Sequence, residues 1–459
     1  MRTIDRTIPQ SFWKFVLNFL FLITVSCAPT LQYVQPQFPY PQNPAAYLQG
    51  LDLEVPLISE VYQNQLQQSF DEHVFQPWTC DSASHSVADA YWAASFIQSR
   101  TGYGENKLPH TQEWIRGLIA NADSASYADS IWCGINVERT ALRALPTERP
   151  FYYNFDRAGE GFPFDYLQNS ALPLNTPVRV VNQSLDKAWL LVESHHAMGW
   201  VPTNQIVSAD SVLMQMWTDS THVTPIIEPI TVLDTLGHFI AQARVGAIFP
   251  LLDATPTYWM VGVVVRHDAG GRVIPGLIPK RQAVKQPWPL TLDHAAQLAD
   301  LFLCQPYGWG GYLNNRDCSA LIKDFYTPFG IWLPRNSKAQ SNYFPNHIDL
   351  SNLTDQQKEE QILVNGFPYL SLIYKPGHIM LQAGSRLNRP MVLHDLWGLK
   401  YKPRFKPEGR HIVGQAVITT LTPGKDIETP ARKTSILQGL TRLTTVVNPD
   451  SVTLKWNRN

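Results

Sequence analysis

The chain has 459 residues, enough for about three domains at roughly 150 residues each. Its 37 basic and 38 acidic residues leave a net charge of -1, so the overall balance gives no electrostatic reason to expect nucleic acid as a partner. An apolar content of 44% excludes a wholly disordered chain, and five cysteines in this length exclude a disulfide-built scaffold. With 35 prolines and only 16% charged residues, the composition favours short strands and turns over long helices.

The N-terminus carries Arg2, Arg6 and Lys14 ahead of an apolar run from Phe15 to Val25. That run is too short to span a bilayer and suits the central region of a secretory signal. It ends in Thr24-Val25-Ser26-Cys27, which resembles a bacterial lipobox, with Thr24 in place of the usual Leu. The resemblance implies lipidation of Cys27; plain cleavage is the alternative. Ala28 after the cysteine resembles outer-membrane sorting in Gram-negative lipoproteins, which places the protein on that membrane facing the periplasm. Residues 28–50, with Pro29, Pro36, Pro39, Pro41 and Pro44, read as a polar extended tether.

From 51 to 138 the pattern is helical: Ala88, Tyr91, Trp92, Ala94 and Ile97 fall near a 3.6 period, as do Trp114, Ile115, Leu118 and Ile119. Cys80 and Cys133 lie here, as a disulfide or as two buried thiols. Near Arg139 the character turns to short strands: 177–181, 188–192 and 199–202, then 245–249, 258–265 and 272–275. Asp268-Ala269-Gly270-Gly271 reads as a hairpin turn. These runs form two units, 139–210 and 211–287, that look like small β-barrels. The loop Gly159-Glu160-Gly161-Phe162-Pro163-Phe164-Asp165-Tyr166 suits either a pocket wall or a turn anchored by its aromatics.

The chemistry lies beyond residue 288. Tyr307-Gly308-Trp309-Gly310-Gly311 precedes Asp317-Cys318-Ser319, and Leu321, Ile322 and Phe325 follow at helical spacing. Cys318 thus opens a helix, where the macrodipole and free amides favour a thiolate and can hold an oxyanion. A nucleophilic cysteine needs a base, and the base a partner that orients it. Gly377-His378 heads a strand and His394 sits in the next, so antiparallel pairing brings the two rings together. Cys304 reads as a packed thiol. No metal motif competes, because His195 and His196, adjacent on a strand, point apart. No cofactor motif is present either.

Tyr-Gly-Trp-Gly-Gly, Asp-Cys-Ser opening a helix, Gly-His opening a strand and a second histidine, in that order, resemble the NlpC family of cell-wall cysteine peptidases. Gly199-Trp200-Val201-Pro202 resembles the close of a bacterial SH3-like domain, and Phe75-Gln76-Pro77-Trp78 a motif of the N-terminal helical domain of multidomain members, read as a structural clasp. The resemblance implies an α+β protein: a papain-like peptidase domain over 288–459, preceded by a helical clasp domain and two SH3-like β-barrels. It implies Cys318 as nucleophile, His378 as general base and acid, and His394 as the orienting residue. Tyr307, Asp317, Ser319, Arg335, Asn336 and Ser337 then fall at substrate-binding positions. Asn336 replaces the family's aspartate, which puts selection for a free substrate amine in doubt; Glu160 and Asp165 are the candidates to restore that charge. The implied reaction is hydrolysis of the bond between γ-D-glutamate and a diamino acid in peptidoglycan stem peptides, by a monomer with no cofactor. The alternatives are an amidase or acyltransferase on the same fold, and a non-catalytic wall-binding lipoprotein.

Overall fold

The computed structural model describes residues 39–79, 81–155, 157, 159–268, 270–401, 409–425 and 436–454. The expected signal sequence, Cys27 and Cys80 lie outside these residues. Among the described residues no helix is long and apolar enough to cross a membrane.

The long helix Glu60–Thr79 buries Phe70, Val74 and Phe75 along one stripe, and they pack with Ile135, Val207, Trp217 and Ile248 of the two following β units. Near its start, Gln63 Nε2 donates to the Trp288 carbonyl at 2.6 Å, and Leu290 N–H donates back to Gln63 Oε1 at 3.2 Å. At its end Trp78 Nε1 donates to the Gly134 carbonyl at 2.9 Å, while the fully buried Arg179 donates Nε to the Pro77 carbonyl at 3.2 Å. One helix therefore ties both β units to the C-terminal domain, the clasp expected of the Phe-Gln-Pro-Trp stretch. The periodic run 88–97 divides into the helices Val87–Ala90 and Trp92–Gln98 around Tyr91. The Tyr91 hydroxyl accepts from Asn182 Nδ2 at 2.6 Å.

Each β unit is a seven-stranded antiparallel sheet. The first begins ahead of residue 139, because Trp132–Asn136 pairs with Pro177–Gln183 and with Ile206–Ser208. In the second, Tyr258–His267 and Gly270–Pro279 form the expected hairpin. The expected strand 245–249 is instead a turn that reaches strand geometry only at Phe249. Gly246 takes φ 105°, and a Cβ there would lie 2.8 Å from Asp324 Oδ1, so the chain bends around that carboxylate.

The C-terminal domain is α+β, as expected: the helix Cys318–Tyr326, buried throughout, packs on a six-stranded antiparallel sheet. Leu321, Ile322 and Phe325 meet Ile379, Leu381, Leu393 and Ala416 in one core. The outer edge of the strand Gly409–Thr420 is covered twice, which blunts an otherwise open edge. Cys304 N–H donates to the Ala416 carbonyl and Tyr307 N–H to that of Gly414 (2.9 and 2.8 Å), which fixes the approach of Tyr307 to the site. Cys304 itself is exposed at φ 62°, so it is a surface thiol and not a packed one. Further along, the Gln42 amide accepts from Ile418 N–H at 2.8 Å and donates to its carbonyl at 2.9 Å. The described part of the expected tether, from residue 39, is thus packed: Asn43 caps a 3-10 turn over Pro44–Tyr47, and Tyr47 and Leu48 bury in the domain core.

Candidate active site

Asp317 caps the Cys318–Tyr326 helix and is a buried hub. Its Oδ1 accepts from the Ser319 and Ala320 amides at 3.1 and 2.8 Å and from the Ser319 hydroxyl at 2.9 Å. Arg335 grips both oxygens, with Nη1 3.0 Å from Oδ1 and Nη2 2.7 Å from Oδ2, and its Nε donates to Ser170 Oγ of the first β unit at 2.7 Å. Gly310 N–H donates to Oδ2 at 3.0 Å. Gly310 adopts φ 59°, and a Cβ there would lie 2.5 Å from the Gln168 carbonyl, so the Gly-Gly pair lets this segment touch the barrel. Three residues expected at the substrate, Asp317, Ser319 and Arg335, therefore spend their polar groups on one another and position Cys318. All three also line the cavity with Tyr307, Asn336 and Ser337, and the Asn336 side chain caps the Ser337–Tyr343 helix through Ala339 N–H at 2.8 Å.

His378 and His394 come together as expected. His378 Nε2 is 2.8 Å from His394 Nδ1, and His394 Nε2 is 3.1 Å from Thr419 Oγ1. The Thr419 hydroxyl spends its single proton on the Thr420 carbonyl at 2.7 Å, so it accepts from His394 Nε2–H. His394 Nδ1 must then accept from His378 Nε2–H, and His378 Nδ1 is left unprotonated as the basic nitrogen.

The electrostatics depart from the thiolate expectation. Burial first, and the Asp317 charge second, push the Cys318 thiol up to about 12, although the Ile379 backbone N–H bonded to the sulfur opposes this. Burial and then Lys375 push His378 down to about 3, and burial holds His394 well below the ordinary histidine range. The rise at Cys318 from 9.0 to about 12 corresponds to about 4 kcal/mol against the thiolate, more than the 0.3–1 kcal/mol typical of a helix terminus. Asp317 has in any case taken two of the first-turn amides. Burial thus works against both charged forms, the thiolate and the imidazolium.

These groups open on a cavity of about 850 Å³ between the first β unit and the C-terminal domain. Gly159, Phe164 and Tyr166 line it, so the aromatic loop is a pocket wall as well as an anchored turn. Asp165 does not reach it: wholly buried, it pairs with Arg143 Nη1 at 2.7 Å and accepts from Phe151 N–H at 2.9 Å. Glu160 accepts from Asn154 N–H at 3.1 Å and is not among the lining residues, so neither acid replaces the family's aspartate. His195 and His196 do not point apart. They lie in the turn between the strands Trp189–Ser194 and Met198–Pro202, with ring nitrogens 3.1 Å from each other, and His195 Nδ1 accepts from Trp332 Nε1 at 2.8 Å. Among the described residues no three His, Cys, Asp or Glu side chains are grouped to hold a metal.

Four family profiles match along the chain: the NLPC_P60 stabilising domain (N-terminal) over 15–127, an SH3 domain of SH3b1 type over 150–202, an SH3 domain of SH3b2 type over 210–256, and the NlpC/P60 family over 304–362, which includes Cys318. The matches to the NLPC_P60 stabilising domain, the two SH3 types and the NlpC/P60 family follow one another in the order of the chain's own domains. Among solved structures, an NlpC/P60 endopeptidase from Photobacterium damselae subsp. piscicida is 25% identical with a TM-score of 0.81, over 90% of this chain and 98% of the other. An NlpC/P60 family protein from Bacillus cereus ATCC 10987 is 14% identical with a TM-score of 0.45, over 69% of this chain and 100% of the other. No curated protein matches.

Within this NlpC/P60 architecture, two groups had no sequence signal. Thr419 follows strand alternation like any other residue. Arg316, two positions before Cys318, pairs with both oxygens of Glu228 in the second SH3 unit, its Nη2 2.7 Å from Oε2, and its Nε lies 2.7 Å from Asp324 Oδ2. The sequence separation of 88 residues between Glu228 and Arg316 hides that pairing from any local pattern.

Proposed function

We propose that the protein is a peptidoglycan hydrolase, a cysteine endopeptidase that cleaves stem peptides between γ-D-glutamate and the diamino acid. The observation that carries this reading is the chain from His378 through His394 to Thr419, which opens on the cavity that also holds Cys318. His378 Nδ1 takes the thiol proton as Cys318 Sγ attacks the γ-glutamyl carbonyl carbon. The Cys318 N–H, which the Asp317 cap does not use, supports the oxyanion. The tetrahedral adduct collapses as His378 returns the proton to the departing amine nitrogen, leaving a thioester. Water then attacks the thioester carbonyl, gives a proton to His378, and the acid is released with the thiol restored.

Purified muropeptides digested with the protein and read by mass spectrometry test the bond. Cleavage between muramic acid and L-Ala, releasing intact stems, overturns this reading in favour of an amidase. Turnover retained by Cys318→Ala overturns the mechanism, and no turnover by wild type favours the wall-binding alternative. We further infer that Cys27 is lipidated and holds the protein on the outer membrane, facing the periplasm. Metabolic labelling with an alkyne fatty acid, lost in Cys27→Ser, checks this inference.

A further inference from the structure

A second, smaller cavity, not lined by Cys318, lies where both β units meet the C-terminal domain. Its volume of about 30 Å³ gives room for about two water-sized spheres. Five cations line it: Arg139 from the first unit, Arg244 from the second, and Arg316, Lys323 and Arg335 from the C-terminal domain. Asp324 is the one carboxylate among the lining residues. Away from water the cations repel one another strongly unless counter-charges lie close.

The protein's own counter-charges do not suffice. Asp324 takes Arg316 Nε on Oδ2 and Lys323 Nζ on Oδ1, both at 2.7 Å. Glu228 pairs with Arg316 and Arg244, and Asp317 with Arg335. Three carboxylates therefore serve four of the cations. Among the described residues the fifth, Arg139, forms no ion pair, and its hydrogen bond runs from Nη1 to Asn314 Oδ1. Burial first, and then the charge of Arg316, pull the Arg139 guanidinium down to about 10, so it is still cationic at neutral pH. Arg244 supplies an independent observation. Its Nη2 donates to Glu228 Oε1 at 3.0 Å and its Nη1 to the Asn314 carbonyl, which fixes the guanidinium, yet its buried Nε–H has no acceptor. An excess of positive charge and an unspent donor on one small cavity are what a buried anion requires.

We propose that this cavity binds one small inorganic anion, a halide ion, between Arg139, Arg244 and Lys323, and that the ion fastens both SH3 units to the C-terminal domain. A water molecule satisfies the N–H groups without cancelling charge. A phosphate or a peptide carboxylate brings several heavy atoms, more than the volume holds. The ion draws one arginine from each SH3 unit onto the same charge as Lys323, which lies on the helix that opens at Cys318. The site stands independently of the peptidase reading above.

The test follows thermal unfolding of the full chain by circular dichroism as sodium chloride replaces sodium gluconate, at a total salt of about 0.3 M so that screening stays constant. Gluconate is too large for the cavity. Wild type is expected to gain about 3 °C or more in Tm across the series, because the ion binds the folded chain alone. In Arg139→Met, chloride is expected to move Tm by less than about 1 °C. Wild-type crystals soaked in sodium bromide are expected to give an anomalous peak inside the cavity, beside Arg139 and Arg244. That measurement keeps the test informative if Arg139→Met does not fold. Equal midpoints for wild type in the two salts overturn the site, as does a chloride gain that Arg139→Met retains in full. Bromide crystals with no peak in the cavity overturn it as well.

Discussion

Replacing Glu228 by Gln removes the charge that locks the second SH3 unit to the start of the Cys318–Tyr326 helix. The Glu228 side chain is fully buried; both its oxygens pair with Arg316, and Arg244 Nη2 lies 3.0 Å from Oε1. Burial raises its carboxyl, yet these cations lower it from 4.5 to about 2, which corresponds to about 3 kcal/mol. Breaking a buried pair on one side typically costs 3–5 kcal/mol, because the remaining charge is left uncompensated. The two estimates agree, and about 3 kcal/mol of destabilisation is expected for Glu228→Gln. Urea unfolding followed by tryptophan fluorescence at pH 7 reads it as a lower midpoint with unchanged slope. Because the folded-state value is depressed, the stabilisation is present above about 4.5 and fades as pH falls toward 2, so the gap between wild type and variant narrows over that window. Arg316→Met added to Glu228→Gln is expected to cost less than the two single variants summed, because the two side chains share one interaction, although Asp324 also loses a partner. A single-variant cost below about 1 kcal/mol, or additive losses in the double variant, refutes the argument.

Thr419→Val removes the acceptor that sets the His394 tautomer; kcat is expected to fall about tenfold with little change in KM, and Thr419→Ser to restore it, in steady-state assays on muropeptides. His378→Ala is expected to lower kcat by about 10²–10⁴-fold, because it removes the base while Thr419 and His394 stay in place. Alkylation of Cys318 by iodoacetamide, quantified by peptide mass spectrometry, is expected to be slow at pH 6 and to rise toward pH 9 without a plateau, since burial pushes the thiol up to about 12. A plateau below pH 7 is the signature of a preformed thiolate and contradicts a thiol raised by burial. His378 and His394 titrate below their ordinary value when folded, so below about pH 6.5 the unfolded state binds the extra protons. Each can therefore cost up to about 1.4 kcal/mol per pH unit as the solution is acidified. Unfolding midpoints from pH 8 down to pH 4 check this, and His394→Asn is expected to flatten the slope.

The sequence by itself determined the parts that depend on near neighbours. Asp317 capping a helix that opens at Cys318 is a local hydrogen-bond pattern, and the two histidine strands follow from alternation and a short turn. The hairpin at residues 267–270 and the apolar stripe of the catalytic helix are legible for the same reason. Local pattern failed where a distant group intervened. The turn at residues 245–248 bends around Asp324, Tyr47 and Leu48 pack where Gln42 satisfies an edge strand, and burial with the Asp317 charge raises the Cys318 thiol against the helix terminus. Only the tertiary structure decided what surrounds the nucleophile. Phe164 reaches the cleft from the first SH3 unit, Arg335 is consumed by Asp317 and Ser170, and Asp395 is left buried without a hydrogen-bond partner at Oδ1. Side-chain partners are chosen by proximity in the folded chain, and these lie tens to hundreds of residues apart, beyond the reach of any helical or strand period.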